Sequence, residues 1–163
     1  MSGQNIDSGT QDLLVYLEDG VLTITLNRPE ARNAFSPDLL KAFNSQLVNA
    51  EQNPAIRCIV VTGTGKAFCA GGDIKAMAAR NAKAAEITVD EAIHRQRVDQ
   101  RNTAGRLYKI PKPTLAVLPG AAAGAGLALA VSCDLRIRAS NAIMTTAFAR
   151  VGFSGDYGGT LFM

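Results

Sequence analysis

A charge-free stretch of small residues in the second half of the chain most restricts what the chain can fold into. Residues 114–133 read TLAVLPGAAAGAGLALAVSC and contain no Asp, Glu, Lys or Arg. A membrane-spanning helix needs about 20 strongly apolar residues, whereas this stretch is rich in alanine and glycine and is interrupted by Pro119-Gly120. We therefore predict a buried strand, then a turn, and then a buried helix that covers residues 122–132. We predict no membrane span.

Strand and helix patterns alternate along the rest of the chain. The β-rich runs 13–17 and 21–26 are joined through Glu18-Asp19-Gly20, which predicts a hairpin. Ser36-Pro37-Asp38 is typical of a helix start, and Thr88-Val89-Asp90-Glu91 of a capping box that opens a polar helix towards residue 108. Further strands are expected at residues 56–62, 114–118 and 135–137, a loop at 63–72 and a helix from Asp73. This order predicts an α/β fold with one domain over residues 13–163, preceded by a flexible polar tail over residues 1–12.

The composition argues against several classes of function. The 17 basic and 14 acidic residues leave a net charge of +3, and the basic residues are not gathered into one run, so we expect no nucleic-acid partner. The three cysteines form no CxxC pair, and the single histidine, His94, has no cysteine nearby in sequence. Neither a zinc site nor a disulfide framework is therefore expected, and buried free thiols in a reducing cytoplasm fit better.

Two segments of small residues, 65–74 (GKAFCAGGDI) and 119–128 (PGAAAGAGLA), each follow a predicted strand and lead into a predicted helix. Residues without bulky side chains let a ligand approach the main chain closely, and a helix start adds unpaired N–H donors. If the two turns converged, they would form an oxyanion hole, in which each donor stabilises a transition state by roughly 2.7–4 kcal/mol.

Two rival motifs fail on inspection. A phosphate-binding loop around Gly65-Lys66 would need glycine at position 60 and Ser or Thr at position 67, where the sequence has Val60 and Ala67. A dinucleotide fingerprint starting at Gly124 would need a glycine where Leu129 stands. Nucleotide binding by either loop is therefore not expected.

From about residue 13 to its end, the sequence resembles the enoyl-CoA hydratase/isomerase (crotonase) family. The matching pieces, which occur in the family's order and spacing, are LNRPE at 26–30 with NAF at 33–35, AFCAGGDIK at 67–75, AGAGLALA at 123–130, SCDL at 132–135 and GGT at 158–160. The resemblance implies a crotonase-like spiral of ββα units, assembled as a homotrimer or hexamer, and an acyl-CoA thioester as substrate. It implies no metal or redox cofactor, because coenzyme A arrives as part of the substrate.

Carried over by position, the resemblance assigns the two oxyanion N–H groups to Gly72 and Ala125. It also implies a set of residues that bind the CoA ester: Arg32, Ala34, Ala70, Gly72, Asp73, Ile74, Lys75 and Ala125. Asp73 also fits the simpler role of a helix N-cap, which we favour over direct catalysis. Cys69 has no histidine nearby in sequence to activate it, so we expect a small packing residue.

The sequence departs from the family where hydration would need acid–base groups. Relatives that hydrate enoyl-CoA use two glutamates, and this sequence has Ala128 and Phe148 at the corresponding positions. Asp156 lies where some isomerase and dehalogenase relatives place an aspartate, although an Asx residue beside glycine also caps turns. One carboxylate suffices to move a proton between C2 and C4 of a 3-enoyl thioester, whereas hydration must also orient water.

The favoured function is therefore double-bond isomerisation of an acyl-CoA thioester, with Gly72, Ala125 and Asp156 as the catalytic groups. The alternative is a non-catalytic acyl-CoA binder or assembly subunit that keeps the oxyanion hole. The resemblance further implies that the helical C-terminal part of the family chain is absent from this one.

Overall fold

A computed structural model of the chain describes residues 3–73, 87–152, 155 and 157–163. Its larger sheet has the strand order β1-β2-β3-β4-β6-β8, with antiparallel pairing from β1 to β3 and parallel pairing beyond. These strands are β1 (Gln4–Ile6), β2 (Leu13–Glu18), β3 (Val21–Leu26), β4 (Cys58–Gly63), β6 (Thr114–Leu118) and β8 (Leu135–Arg138). A smaller parallel sheet holds β5 (Ala67–Cys69), β7 (Ala121–Ala123) and β9 (Met144–Thr145) in that order.

The two sheets are built turn by turn. Each of β4, β6 and β8 in the larger sheet is followed in the chain by a strand of the smaller sheet, β5, β7 or β9. After β7 the chain enters a buried helix, Ala125–Val131, before it returns to the larger sheet. Every turn therefore advances both sheets by one strand, which confirms the predicted α/β fold and its spiral of ββα units.

The described residues form five helices, and the two longest begin at a capping side chain. They are α1 (Pro37–Gln52), α2 (Val89–Asn102), α3 (Ala104–Lys109), α4 (Ala125–Val131) and α5 (Gly159–Phe162), with short 3-10 turns at Pro29–Ala31 and Phe148–Val151. The Ser36 hydroxyl accepts the Leu39 N–H at 3.1 Å, and the Thr88 hydroxyl accepts the Glu91 N–H at 3.2 Å. Both predicted helix starts are thereby confirmed.

The main core lies between one face of the larger sheet and α1. Alternate residues of the strands point inwards, and they meet the side of α1 that carries apolar residues at helical spacing. Its fully buried members include Leu22, Ile24, Leu26, Ile59 and Val61 from the sheet and Leu39, Phe43 and Leu47 from α1. The core therefore fixes the end of β3 and the start of α1, and the loop between them is held at both ends.

The structure differs from the predicted N-terminal tail. Residues 4–6 form β1, which pairs with β2 and extends the sheet. Residue 12 is also held, because Asn27 N–H donates to Asp12 O at 2.7 Å and the Ser36 hydroxyl donates to the Asp12 carboxylate at 2.5 Å. The polar composition of residues 1–12 concealed this because edge-strand pairing needs only main-chain groups.

Three predicted element boundaries also need correction. The expected loop 63–72 contains strand β5, and the expected helix 122–132 starts only at Ala125, because residues 121–123 pair as β7. The expected helix 88–108 is divided between α2 and α3 at Thr103, whose φ of −98° and ψ of −96° are not helical. The helix expected from Asp73 lies outside the described residues. Among those that are described, no helix is long and apolar enough to cross a membrane.

Candidate functional site

The two small-residue segments meet along the smaller sheet. Strand β5 belongs to the first and β7 to the second, and they pair in parallel through Ala67 with Ala121 and Cys69 with Ala122. Two glycines permit this closeness: a Cβ on Gly120 would lie 2.0 Å from Lys66 O, and one on Gly126 would lie 2.3 Å from Cys69 O. Any larger residue would force the backbones apart, so glycine is required at both positions for steric reasons.

The turn after β5 packs against the first turn of α4. Gly71 has φ of +93°, a conformation that L side chains rarely adopt. A Cβ on Gly71 would lie 2.8 Å from Ala123 O and 3.2 Å from Ala125 N. The peptide that links Gly71 to Gly72 therefore lies beside the main chain at Ala125, and the two predicted N–H donors belong to neighbouring turns.

Neither of these N–H groups has an acceptor within the described part of the chain. Ala125 is the first residue of α4, where the N–H has no intrahelical partner. No other group in the described residues accepts a hydrogen bond from it or from the Gly72 N–H. Ala125 is 3% exposed, whereas Gly72 is open to solvent. The site thus has one buried donor, the Ala125 N–H, and one solvent-accessible donor, the Gly72 N–H. A carbonyl oxygen that enters from solvent can approach both.

The loop between β3 and α1 forms another wall of the site. Arg32 and Asn33 both adopt left-handed backbone angles, with φ of 51° and 57°. This loop bonds to the turn after β5 at two points: Ala70 N–H donates to Arg32 O at 3.0 Å, and Phe35 N–H donates to Gly71 O at 2.8 Å. The side chain of Arg32 is exposed, so it lies at the surface beside the turn.

The buried side chain of Asn33 holds this loop in place. Its amide donates to Thr64 O at 3.0 Å and to Ala67 O at 2.9 Å, and its carbonyl oxygen accepts the Arg28 N–H at 2.9 Å. Asn33 is 0% exposed, and its bond to Ala67 O is fully buried, which shields that bond from water. The sequence signal for this role was the spacing of Asn33 after Arg28-Pro29, but the spacing does not reveal which carbonyls the amide bonds.

Sequence reasoning missed a second organising residue, Arg28. Its guanidinium donates to Ala34 O at 2.7 Å and to one carboxylate oxygen of Asp73 at 3.1 Å, and its Nε lies 3.3 Å from the Asp12 carboxylate. Asp73 was expected to cap a helix, and that helix lies outside the described residues. The ion pair with Arg28 gives Asp73 a role in joining the turn after β5 to the loop after β3.

The two buried thiols, Cys69 and Cys133, have no catalytic character. Burial raises the pKa of Cys69 from 9.0 to about 12, although the Gly71 N–H, 3.4 Å from the sulfur, acts in the opposite direction. Burial likewise raises the pKa of Cys133 to about 12. Both thiols are therefore neutral near pH 7, in agreement with the predicted packing role of Cys69.

The two positions that correspond to hydratase glutamates lie against the C-terminal segment. A Cβ on Gly155 would be 3.0 Å from the Phe148 ring, and one on Gly159 would be 3.4 Å from Ala128 Cβ. Tyr157 stacks at a tilt on Phe35, with ring centroids 5.4 Å apart. Gly155 and Gly159 thus contact these two positions, and Tyr157 contacts the loop after β3.

The structure brings most of the predicted site residues together and leaves three undescribed. The turn after β5, the loop after β3 and the start of α4 carry Ala70, Gly72, Asp73, Arg32, Ala34 and Ala125 in one connected region. The predicted ligand-lining residues Ile74 and Lys75 and the predicted catalytic residue Asp156 lie outside the described residues.

Comparison with known proteins identifies similar chains. The family described as Enoyl-CoA hydratase/isomerase matches residues 17–163. A 1,2-epoxyphenylacetyl-CoA isomerase of Escherichia coli is 37% identical over 91% of this chain and 55% of its own length. A solved enoyl-CoA hydratase from Polaromonas is 37% identical, with a TM-score of 0.81 over 92% of this chain and 56% of that one. A solved enoyl-CoA hydratase from Bacillus anthracis is 29% identical, with a TM-score of 0.78 over 93% and 57%. The chain spans about half the length of the relatives it matches.

Proposed function

Because this chain belongs to the enoyl-CoA hydratase/isomerase family, we propose that it binds an acyl-CoA thioester and stabilises the thioester enolate with main-chain N–H groups. The observation that carries the proposal is the approach of Gly71 to within 3.2 Å of Ala125 N, measured from a Cβ built on the glycine. This approach puts the N–H groups of Gly72 and Ala125 on adjacent turns with no competing acceptor among the described residues.

The chemistry follows from where charge develops. When a proton leaves the carbon next to a thioester, negative charge moves to the carbonyl oxygen, and two N–H donors aimed at that oxygen stabilise the enolate. Such donors act mainly on the transition state and contribute roughly 2.7–4 kcal/mol each. In the proposed site Gly72 and Ala125 supply these donors, and no side chain is needed for this part of the reaction.

We further propose that the reaction is double-bond isomerisation with Asp156 as the proton carrier. The carboxylate removes a proton from C2 of a 3-enoyl thioester, the dienolate forms in the oxyanion hole, and the same proton returns at C4 to give the 2-enoyl product. Ala128 and Phe148 stand where the hydratases carry glutamates, so the groups that would orient water are missing. The relatives are named both as isomerases and as hydratases, so the choice of reaction rests on these residues.

The described residues on either side of Asp156 in sequence support its selection. Its neighbour in sequence, Tyr157, stacks on Phe35, and Phe35 in turn bonds to Gly71 in the candidate oxyanion turn. Gly155, on the other side, lies against Phe148. Gly155 and Tyr157, which flank Asp156 in sequence, therefore each lie against an aromatic ring.

A non-catalytic acyl-CoA binder is the second candidate function. Replacement of both hydratase glutamates by Ala128 and Phe148 favours it, because neither side chain can transfer a proton. In that case the main-chain donors would bind the thioester without turning it over. The two candidates agree on binding and differ only in chemistry, so an activity measurement separates them.

The first experiment is one incubation of the protein with paired 2-enoyl- and 3-enoyl-CoA substrates, followed by mass spectrometry and ultraviolet absorbance. Conversion of the 3-enoyl substrate to the conjugated isomer without a change of mass is the expected result. A gain of one water on the 2-enoyl substrate would contradict isomerisation and indicate hydration. Binding of both esters without any conversion would support the non-catalytic candidate.

The proposed role of Asp156 is tested by Asp156→Asn, which keeps the size of the side chain and removes its basicity. We expect turnover to fall below detection while the dissociation constant for a 2-enoyl-CoA stays within a factor of about three, because the N–H donors are untouched. Asp38→Asn, on the exposed first turn of α1, is the matched control and should leave both quantities unchanged. Unchanged turnover in Asp156→Asn would refute this role.

Assembly and location are proposed along with the function. We propose a homotrimer or hexamer, and the exposed apolar side chains of β8, Leu135 at 66% and Ile137 at 60%, are surface that such an assembly could cover. Light scattering coupled to size exclusion would measure the assembly. We also propose a cytoplasmic location, and coenzyme A as part of the substrate in place of a bound cofactor.

A further inference from the structure

The guanidinium of Arg28 joins three segments that are far apart in sequence. Its Nε lies 3.3 Å from the Asp12 carboxylate, one terminal nitrogen donates to Ala34 O at 2.7 Å, and both terminal nitrogens lie 3.1 Å from one carboxylate oxygen of Asp73. The side chains of Arg28 and Asp73 are 17% and 16% exposed. Water therefore weakens this ion pair less than it weakens an exposed one, and the pair can hold a fixed geometry.

The contacts on either side of Gly72 determine where its N–H points. In a trans peptide, the C=O of Gly71 and the N–H of Gly72 share one plane and point in opposite directions. Because Phe35 N–H donates to Gly71 O at 2.8 Å, the Gly72 N–H must point away from the loop after β3. The Arg28–Asp73 ion pair then holds the residue that follows, so that Gly72 lies between two fixed points.

We propose that Arg28 is a positioning residue for the oxyanion hole, which acts through Asp73 to keep the Gly72 N–H aimed at the thioester oxygen. This assignment rests on the proposed function. Arg28 itself touches neither the substrate nor the reacting atoms in this scheme. Its effect is transmitted by the main chain over one residue, from Asp73 to Gly72.

The geometry also explains why the residue is arginine. The three groups bonded by Arg28 lie in different directions around the planar guanidinium, which presents five N–H donors in a rigid fork. A lysine ammonium carries the same charge on a single nitrogen and cannot reach all three groups together. Arg28→Lys should therefore keep part of the ion pair with Asp73 and lose at least one of the contacts with Ala34 O and Asp12.

The decisive measurement is the carbonyl stretching frequency of a bound thioester. Crotonyl-CoA with an isotopic label at its thioester carbonyl is bound to saturation, and the Raman difference spectrum reports how strongly the N–H groups polarise the C=O bond. In the wild-type chain the frequency should fall relative to free crotonyl-CoA. In Arg28→Gln it should move back towards the free value, with Arg28→Lys between the two. A role confined to overall folding would not produce this graded change at full occupancy in a folded protein.

Kinetics supply the second readout. A displacement of about 1 Å in a catalytic group costs up to about 100-fold in rate, so Arg28→Gln should lower kcat by 10- to 100-fold while KM changes by less than about threefold. Asp73→Asn should act in the same direction. The double variant should be little worse than Arg28→Gln alone, because both substitutions break the Arg28–Asp73 ion pair. Arg106→Gln is the control, since it removes the ion pair of Arg106 with Glu51 on the surface, and it should leave kcat unchanged.

The outcomes separate this assignment from the function on which it rests. A carbonyl frequency that shifts equally in the wild type and in folded Arg28→Gln and Arg28→Lys would overturn the assignment alone. A wild-type frequency that does not shift would overturn the oxyanion hole itself, and the assignment with it. If Arg28→Gln does not fold, Arg28→Lys decides the question by the same comparison.

Discussion

Replacing Gly126 by alanine adds one methyl group at the point where α4 meets the smaller sheet. A Cβ at this position would lie 2.3 Å from Cys69 O and 2.7 Å from Cys69 Cβ. Because both atoms belong to a buried residue in β5, neither can rotate out of the way. The helix must move away from the strand by about 1 Å to restore ordinary van der Waals contact.

The steric clash of the added methyl group lowers the stability of the chain, whereas the higher helix propensity of alanine raises it. The measured sign therefore shows which effect is larger. Propensity alone would favour alanine over glycine by about 0.8–1.0 kcal/mol inside a helix. Overpacking a filled site costs about 1–3 kcal/mol, and the upper end applies where the contact is with backbone. We therefore expect a net destabilisation of about 2 kcal/mol, or a fall in Tm of roughly 4–8 °C for a domain of this size.

A matched substitution in α3 tests the sign. At Gly105 a Cβ would lie 3.4 Å from Gln100 O and 4.0 Å from Arg101 Cβ, which is ordinary contact. Gly105→Ala should therefore stabilise the chain by up to about 1 kcal/mol and raise Tm by roughly 2–4 °C. The two variants make the same chemical change in a helix, and they differ in whether the methyl group has space.

Thermal unfolding followed by far-ultraviolet circular dichroism measures both shifts, and urea titration at constant slope gives the corresponding free energies. Gly126→Ala should also lower turnover, because the N–H of the preceding residue, Ala125, is a proposed donor and moves with the helix. A Gly126→Ala protein as stable as the parent, alongside a stabilised Gly105→Ala, would refute the close contact of α4 with β5 and the argument built on it.

Two further predictions concern buried polar and thiol groups. Asn33→Ala should lower the free energy of unfolding by about 2–4 kcal/mol in urea titrations, because two carbonyls lose their donor and alanine must adopt a positive φ. Asn141→Ala, at an exposed position, is the control. An equal loss of stability in both variants would contradict the buried hydrogen-bond network of Asn33. The raised pKa values of Cys69 and Cys133, about 12 against 9.0, mean that the unfolded chain loses these protons first. Stability should therefore be intact below pH 9 and decline as pH rises from about 9 towards 12. Unfolding titrations across that range should show a shallower decline for the double variant Cys69→Ala/Cys133→Ala, and identical slopes would show that the thiols do not contribute.

Local sequence patterns predicted the elements whose signals lie within a few residues. The hairpin of β2 and β3 follows from two β-rich runs around Asp19-Gly20, and the start of α1 follows from Ser36-Pro37. In each case the chain supplies a turn or a cap next to an apolar pattern of the correct period. Such signals depend on neighbouring residues, so they can be interpreted without the rest of the fold.

The strands of the smaller sheet could not be predicted in the same way. Residues 121–123 are all alanine, which has little intrinsic preference for a strand, and residues 67–69 form a run of only three residues. They form strands because β5 and β7 find each other across more than fifty residues of chain, and Gly120 and Gly126 leave space for that approach. Likewise, the break at Thr103 is invisible to a helical pattern that continues on both sides.

For the candidate site, the sequence by itself determined which chemical groups are available. It places small residues at two turns, it has no catalytic pair of a thiol and a histidine, and it lacks both hydratase glutamates. Only the tertiary structure decided which groups meet. Asp73 pairs with Arg28, and Asn33 bonds carbonyls more than thirty residues away. Gly155 lies against Phe148, and Gly159 lies against Ala128. The physical reason is that main-chain donors are present at every residue and become a site only when packing holds two of them beside each other without an acceptor.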